Sequence, residues 1–317
     1  KKQHKASRVL LVAESTGGYE DNWLRIGKKE PLADFLEAYR INAKIIYHEY
    51  QAQRRSSIDD GVSALTIAEH VAKNLDQFTP SQTVKDSAFA PARSLIRHWV
   101  SLQQEATSHK NSLLKLVYQY LPSLESVKPS DWPAYWVDMF ARYGSRKSIQ
   151  IAAKRGFTKL KRVPKGKAQQ IAQALEEGID MRETPPMAVL TIQSKARQIQ
   201  RLAEEIHVIT KAIIAAAPVD PKQVELLQSI KGMGAITPVV LLCFIEDVTR
   251  FDGAKKMAAF FGVQPRIKRS GDGAYKTKMS KQGAGIVRRE LYLLAFRSLQ
   301  FQPYLNSIYL AVRAKGM

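Results

Sequence analysis

The chain has 317 residues, 45% of them apolar and 25% charged, and 49 Lys and Arg stand against 29 Asp and Glu for a formal net charge of +20. This length predicts about two domains of roughly 100–200 residues each, and the apolar share excludes wholesale disorder. A single cysteine, Cys243, excludes a disulfide scaffold or a Cys-rich metal site, the six histidines include no metal-spaced pair, and no apolar run approaches the ~18–20 residues that span a bilayer.

In chain order, Arg8–Ala13 (RVLLVA) reads as a buried strand that ends at Glu14 and runs into Ser-Thr-Gly-Gly. Asp21–Tyr39 carries a broken helical period, and Ala43–Tyr47 (AKIIY) reads as a second strand, which together predict a parallel strand–helix–strand unit. Ser63–Lys73 has helical spacing at Ala64, Ile67, Ala68 and Val71, and the polar stretch Leu75–Val84 reads as a connector. Ala88–Leu121 predicts one long helix. Residues 122–186 are less regular, with an aromatic cluster (Trp132, Tyr135, Trp136) followed by a basic run from Arg146 to Lys167. Pro185-Pro186 opens a helix in which Ile192, Ile199, Ile206 and Ile213 recur every seven residues, with Leu202 and Ile209 between them, bounded by Pro218. That seam fits either one core-facing amphipathic helix or a coiled coil that pairs with another helix or protomer.

The last hundred residues form a strongly basic helical unit: Leu226–Gly234, an apolar helix Ile236–Ile245, a helix Ala254–Phe261, a Gly- and Lys-rich loop Pro265–Gly285, and a helix from Ile286. A balance this basic points to a polyanion, because each neutralised phosphate releases condensed counterions, whereas no basic amphipathic anchor for a membrane surface stands out.

Several residues carry candidate chemistry. Glu14 at the end of a strand lies where open α/β sheets bind ligands, or is a solvated acid at a strand edge. Asp59 and Asp60 either cap the following helix or join Glu14 as oxygen ligands of Mg²⁺. Lys231-Gly232-Met233-Gly234 ahead of an apolar helix fits a helix-hairpin-helix phosphate contact, with Lys231, Gly232 and Gly234 as its contacts, or an ordinary glycine turn. Arg266, Lys268, Arg269, Lys276, Lys278, Lys281, Arg288 and Arg289 flank Ser270 and Ser280. Such cations orient a phosphate and stabilise the charge that develops when a serine attacks it; the alternative is a phosphate-binding loop in which the serines donate hydrogen bonds. Trp132, Tyr135 and Trp136 are read as core rings or as stacking platforms for RNA.

These segments resemble, in order and spacing, the IS110/IS1111 family of transposases. Glu14-Ser15-Thr16-Gly17-Gly18-Tyr19-Glu20 is similar to the family's E-x-T-G-G-Y-E segment, and Asp60–Ala68 to its D-x-x-D-A segment. Ile230–Gly234, Arg250-Phe251, Phe261–Pro265, Ser270-Gly271, Ser280–Gly283 and Arg288–Leu291 follow in the family's order, and Arg97 and Asn111 fit its helical middle. The resemblance implies mixed α/β plus mostly α architecture. It assigns an RNase H-like (RuvC-like) domain to residues 1–87, a helical and coiled-coil region to 88–218, and a C-terminal transposase domain with a helix-hairpin-helix-like motif to 219–317. It implies a DNA transposase of an insertion sequence, guided by a structured bridge RNA that pairs with donor and target DNA. Cutting and rejoining would run through a phosphoserine intermediate beside Mg²⁺ held by a DEDD carboxylate set. Ser270 matches the nucleophile, ahead of Ser280; Glu14 and Asp60 match the second and third acids. Asp59 stands in for the fourth if the register shifts, because Ser63 occupies that position. The first aspartate would precede Arg8, so either an N-terminal piece is missing ahead of Lys1 or the chain is a variant with a weakened metal site. The resemblance further implies a homo-oligomer, dimer or tetramer, held by the coiled coil and located in the cytoplasm with the nucleoid. Two other readings stand beside it: a nucleic-acid-binding protein of transposase descent without chemistry, and a metal-dependent nuclease or junction resolvase.

Overall fold

The computed structural model describes residues 9–15, 19–27, 29–53, 59–78, 87–178, 183–268, 276–281 and 283–314. The chain divides into two compact units, Lys1–Ser87 and Ala88–Met317; the first is mixed α/β and the second almost wholly helical.

In the first unit, β1 (Val9–Glu14) and β2 (Leu36–Ile41) pair in parallel from Val9 opposite Leu36 to Glu14 opposite Ile41, with α1 (Asp21–Ile26) in the crossover. The expected parallel strand–helix–strand unit is therefore present, but its second strand is not the one expected. Ala43–Ala52 is a helix, α2, and the strand comes from the stretch just before it. The reason is local. Asn42 is extended and its side-chain oxygen accepts from the Lys44 N–H at 2.9 Å, which caps a helix start. Ile46 and Tyr50, four apart, are buried while Ile45 and Tyr47 are 43% and 51% exposed, the burial spacing of a helix rather than a strand. Helix α3 (Asp60–Lys73) starts three residues earlier than the apolar spacing predicted, because Asp59 accepts from Val62 N–H at 2.8 Å. Ile41, Ile46 and Tyr50 form a small core onto which Val12, Val62 and Phe78 pack.

The second unit is built on two long helices, α4 (Ala90–Tyr120) and α8 (Pro186–Ala216). They run antiparallel: the Trp99 indole N–H donates to Thr210 Oγ1 at 2.9 Å, and Lys195 meets His109 at 3.3 Å. The heptad seam of α8 is occupied within the chain. Ile192 and Ile199 enter one core and Ile213 a second, Leu202 packs with Leu102 and Ala106, and Ile206 and Ile209 lie half-buried beside them. The core-facing reading of the seam thus describes these residues, and the apolar residues of α8 left exposed (Met187, Leu190, Val208, Ile214) lie off it.

The region expected to be irregular folds into α5 (Ala134–Arg142), α6 (Arg146–Lys154) and α7 (Lys167–Glu177), which close the first core around Trp136 and Phe140. Arg146, the first cation of the basic run, is committed to this packing, since its guanidinium donates to the Leu175 and Gly178 carbonyls at 2.6 and 3.0 Å. Tyr135 and Trp136 are core residues, and burial, followed by the Asp131 charge, raises the Tyr135 phenol above its ordinary range.

In the C-terminal part, α9 (Pro221–Gln228) turns into α10 (Ile236–Ile245), which is apolar on every side and buried from Thr237 onward. A helix with no polar face belongs in the middle of a core. Cys243 on it has its thiol pushed up to about 11 by burial, which the Arg93 charge only partly offsets. The segment expected as a loop contains an antiparallel hairpin, β3 (Pro265–Lys268) and β4 (Lys276–Met279). It is followed by α12 (Gly285–Ser298) and α13 (Pro303–Ala314), after α11 (Ala254–Phe261). Alternating Lys276, Thr277, Lys278 and Met279 is strand-like spacing, but glycine and lysine content masked it. Among the described residues, no helix is long and apolar enough to cross a membrane.

Ile199→Ala is expected to destabilise the protein by about 2–5 kcal/mol, the cost of a buried large-to-small change. Because the seam is filled within the chain, the urea midpoint of this variant should not depend on protein concentration. A midpoint that climbs with concentration would place the seam between chains instead.

Candidate nucleic-acid interface

The C-terminal cations and glycines are set by a small number of tight backbone contacts. Gly232, in the turn between α9 and α10, has φ +95 and sits against α12; a Cβ there would lie 3.3 Å from Ser298 Oγ. The same serine hydroxyl donates to the Lys231 carbonyl at 3.3 Å. The turn is thereby held to the last turn of α12, with Lys231 and Gly234 exposed. Gly232 is a packing residue in this arrangement, the ordinary-turn role, while Lys231 and Gly234 remain open to a ligand.

The base of the hairpin is fixed more firmly still. Ser280 N–H donates to Gln264 O at 2.9 Å and Lys281 N–H to Gly262 O at 3.0 Å. Gly283 has φ +77, and a Cβ on it would stand 2.0 Å from the Phe260 carbonyl oxygen, so no other residue fits without moving backbone. Arg288 donates to the carbonyls of Phe261 and Gly283, both at 3.0 Å, a strap from α12 across the hairpin base.

Arg289 is likewise engaged. It bonds Glu290 at 2.7 Å and Gln103, with its guanidinium 5.8 Å from the Trp99 ring centre. Glu290, 3% exposed, also accepts from Thr237 Oγ1 at 3.0 Å. A buried carboxylate must be paired in this way to be tolerated, so the group ties α10, α12 and α4 together. Of the cations singled out by sequence, Lys231, Lys278 and Lys281 stand exposed, whereas Arg288 and Arg289 are half-buried in structural contacts. For Arg266, Lys268 and Lys276 only the strand backbone is described. Ser270 and Arg269 lie outside the described residues. Ser280 is half-buried at the end of the hairpin.

Two cations of this surface were missed. Arg250 lies over Phe251 and Phe260, 4.8 and 4.5 Å from the ring centres, a cation–π stack that orients its guanidinium. Asp247 steadies the turn: the Thr249 hydroxyl and N–H both donate to it and hold its carboxyl below the ordinary range. Arg297 is exposed on the last turn of α12, beside Gly234. The pairing of Arg250 and Phe251 was visible in sequence; the approach of Arg297 to Gly234 had no local signal.

In the first unit, Glu14 closes β1 half-buried, and Val62 in the first turn of α3 packs on the core that Val12 and Ile41 share. Asp59 and Asp60, both exposed, begin α3 at that end. Asp59 is committed to its cap. Ser63, at the fourth acidic position, accepts from the Tyr50 hydroxyl at 2.5 Å. Glu20 is buried and paired with Arg40 at 3.0 Å; Asp21 pairs with the same arginine. Arg40, Ser15 and Asn42 line a shallow depression of about 330 Å³ at the strand ends. Among the described residues, no three His, Cys, Asp or Glu side chains come together as a metal-holding group. Glu14 and Asp60 are hard oxygen donors, but as a pair they are fewer than a Mg²⁺ site draws on when substrate and water do not complete it, so the described set does not by itself fit the ion.

Residues 224–310 match the IS116/IS110/IS902 transposase family. The chain is also 26% identical over 269 residues to an insertion element IS110 uncharacterized 43.6 kDa protein of Streptomyces coelicolor, covering 81% of this chain and 64% of that protein. The chain thus spans just under two thirds of that relative's length.

Gly283→Ala is expected to cost more than the about 1–3 kcal/mol of a forced left-handed residue, because the new methyl group also meets the Phe260 carbonyl. Gly156→Ala serves as the control: its φ is +73 with nothing within 4 Å of the added carbon. Equal losses in urea unfolding for the two variants would mean that the hairpin base yields easily.

Proposed function

We propose that this chain, which carries a transposase domain of the IS116/IS110/IS902 family over residues 224–310, acts as a DNA recombinase of an insertion element. The observation that carries the reading is the overlap of two independent features. The family match falls on the same segment that holds the Lys231 turn, the β3–β4 hairpin, and α12 with its exposed and strapped cations.

In this reading Ser270 is the nucleophile. Its Oγ forms a bond to the scissile phosphorus, its proton passes to a base, and the bond from phosphorus to the leaving deoxyribose oxygen breaks as that oxygen gains a proton. Attack by a hydroxyl of the incoming strand on the phosphoserine reverses the exchange and frees the serine. One phosphodiester is traded for one phosphoseryl ester, so no external energy source enters. The developing charge is the main demand on the protein, and fixed Lys and Arg side chains answer it. Lys231, Lys278, Lys281, Arg250 and Arg297 hold duplex DNA by its phosphates. Donor and target selection by a structured guide RNA, an RNase H-like fold for the first unit, and Mg²⁺ at Glu14 and Asp60 belong to the same proposal. The metal would draw on further donors, and no step is assigned to it.

A second reading has its own support. With Ser63 bonded to Tyr50 and no metal-holding group among the described residues, the chain would bind nucleic acid without cutting it.

Ser270→Ala should abolish a covalent protein–DNA adduct on a denaturing gel, and with it strand exchange, while duplex affinity changes less than about threefold, within ~0.7 kcal/mol. An adduct that survives moves the nucleophile to Ser280. No adduct from the parent, with binding intact, favours the binding protein. Loss of cleavage in Glu14→Ala alone would indicate a nuclease that does not use the serine. Duplex affinity should also fall steeply with salt, by about 0.9 log units per log unit of salt for each phosphate neutralised; a flat response removes the electrostatic premise.

A further inference from the structure

A cavity of about 690 Å³ in the second unit opens between α4, α5 and α8. It falls within the about 300–1,000 Å³ typical of small-ligand sites. It exists because Ala106, Ala134 and Ala203 bring no bulk where the three helices diverge. Its wall is the half-buried Trp132, the one ring of the aromatic cluster that the core does not absorb. Lys110, Arg197 and Arg201 stand around it, and among the described residues none of the three has a hydrogen-bond or ion-pair partner. Arg197 and Arg201, four residues apart on α8, share a face. Inside, Gln200 donates to Asp138, which fixes the amide and leaves its carbonyl oxygen as an oriented acceptor beside the carboxylate. Glu204 is the opposing charge at the rim.

We infer that this cavity is a binding site for an unpaired nucleotide of a single strand, with the base stacked on Trp132, its edge read by Gln200 and Asp138, and the adjoining phosphates held by Arg197 and Arg201. An apolar floor with one indole face suits a planar base. A duplex cannot present a free base face to a recess between helices. Paired arginines outside the recess suit the two phosphates that bracket one nucleotide. An anionic small molecule without a ring would leave the indole unused, and an apolar one would leave unanswered the surplus of three cations over the two acids, Asp138 and Glu204. The inference rests on the proposal that the chain handles nucleic acid but concerns a surface outside the family-matched segment.

The test is fluorescence anisotropy of the full chain with a short labelled RNA, the DNA of the same sequence, and the paired duplex. Trp132→Ala should weaken the single strand roughly tenfold or more, the loss of one stacked base, while Trp132→Phe retains most of the affinity and duplex binding is unchanged in both. Arg197→Gln with Arg201→Gln should lower the single-strand salt slope by about 1–1.5. A photoreactive pyrimidine in the strand should crosslink to the peptide containing Trp132. Preference for the RNA or for the DNA identifies the source of the nucleotide, and either supports the site. Unchanged single-strand affinity in Trp132→Ala, equal loss of duplex binding, or crosslinks confined to residues 224–310 would overturn it. Failure of the parent to bind duplex at all would instead count against the recombinase proposal.

Discussion

The antiparallel pairing of α4 with α8 is the constraint on which the second unit depends. Each helix is 31 residues long. What holds them is the isoleucine seam, filled at one end by the core around Leu113, Val117 and Phe140 and at the other by Ile96, Trp99 and Val100. Because the seam is spent inside the chain, the helices act as a frame. Helices α5 to α7 close over one end, and the wholly apolar α10 is driven into the other. Burying α10 in turn fixes the turn that carries Lys231, and the Thr237–Glu290–Arg289–Gln103 series ties α12 back to α4. The basic surface is therefore positioned by core packing some distance along the chain from its own residues.

This changes what the net charge means. A surplus of +20 suggests a uniformly adhesive surface, but the arginines divide into distinct uses. Arg146 and Arg288 donate to backbone carbonyls, Arg93 pairs with Glu246, and Arg289 bonds Glu290. Arginine suits these places because its planar fork satisfies several acceptors at once. The exposed lysines on the hairpin and the α9–α10 turn, with Arg297, are the cations that stay available to phosphate. Arg288→Lys would keep the charge and lose the strap, which is why charge counting alone misassigns that residue.

Period and punctuation were legible in the sequence where they spoke without competition. The seam of α8, opened by Pro186 and closed before Pro218, and the long α4 could be read directly; so could β1, where an apolar run meets a glycine turn. The second strand could not. Ile45-Ile46-Tyr47 is a short apolar run that fits either state, and the deciding residue was the polar Asn42 cap. The hairpin was hidden because its strands are short and rich in Lys and Arg and the segment between them carries Gly271 and Gly273, a composition usually associated with loops. At the candidate site, Glu14, Asp60 and the lysines were proposed from residue type and order, and of these Lys231, Lys278 and Lys281 are exposed. Glu20, buried against Arg40, and Arg297, brought to Gly234 by the fold, depended on contacts between segments distant in sequence.

The arrangement around the hairpin base bears on how a serine there would be aimed. Ser270 itself lies outside the described residues, two positions beyond β3 in sequence, and what is described is the base of the hairpin. That base is held by contacts to the end of α11 and the residues just after it: Gln264 and Gly262 pair with the backbone of 280 and 281, Gly283 lies flush on the Phe260 carbonyl, and Arg288 reaches both Phe261 and Gly283. Side-chain placement to within a few tenths of an ångström is what nucleophilic attack on phosphorus demands, and a loop with free ends would lose that in conformational entropy. A short antiparallel ladder clamped at its root supplies the rigidity without a large local core. The same clamp explains why a glycine stands at 283: it lets backbone press on backbone at the base of the hairpin.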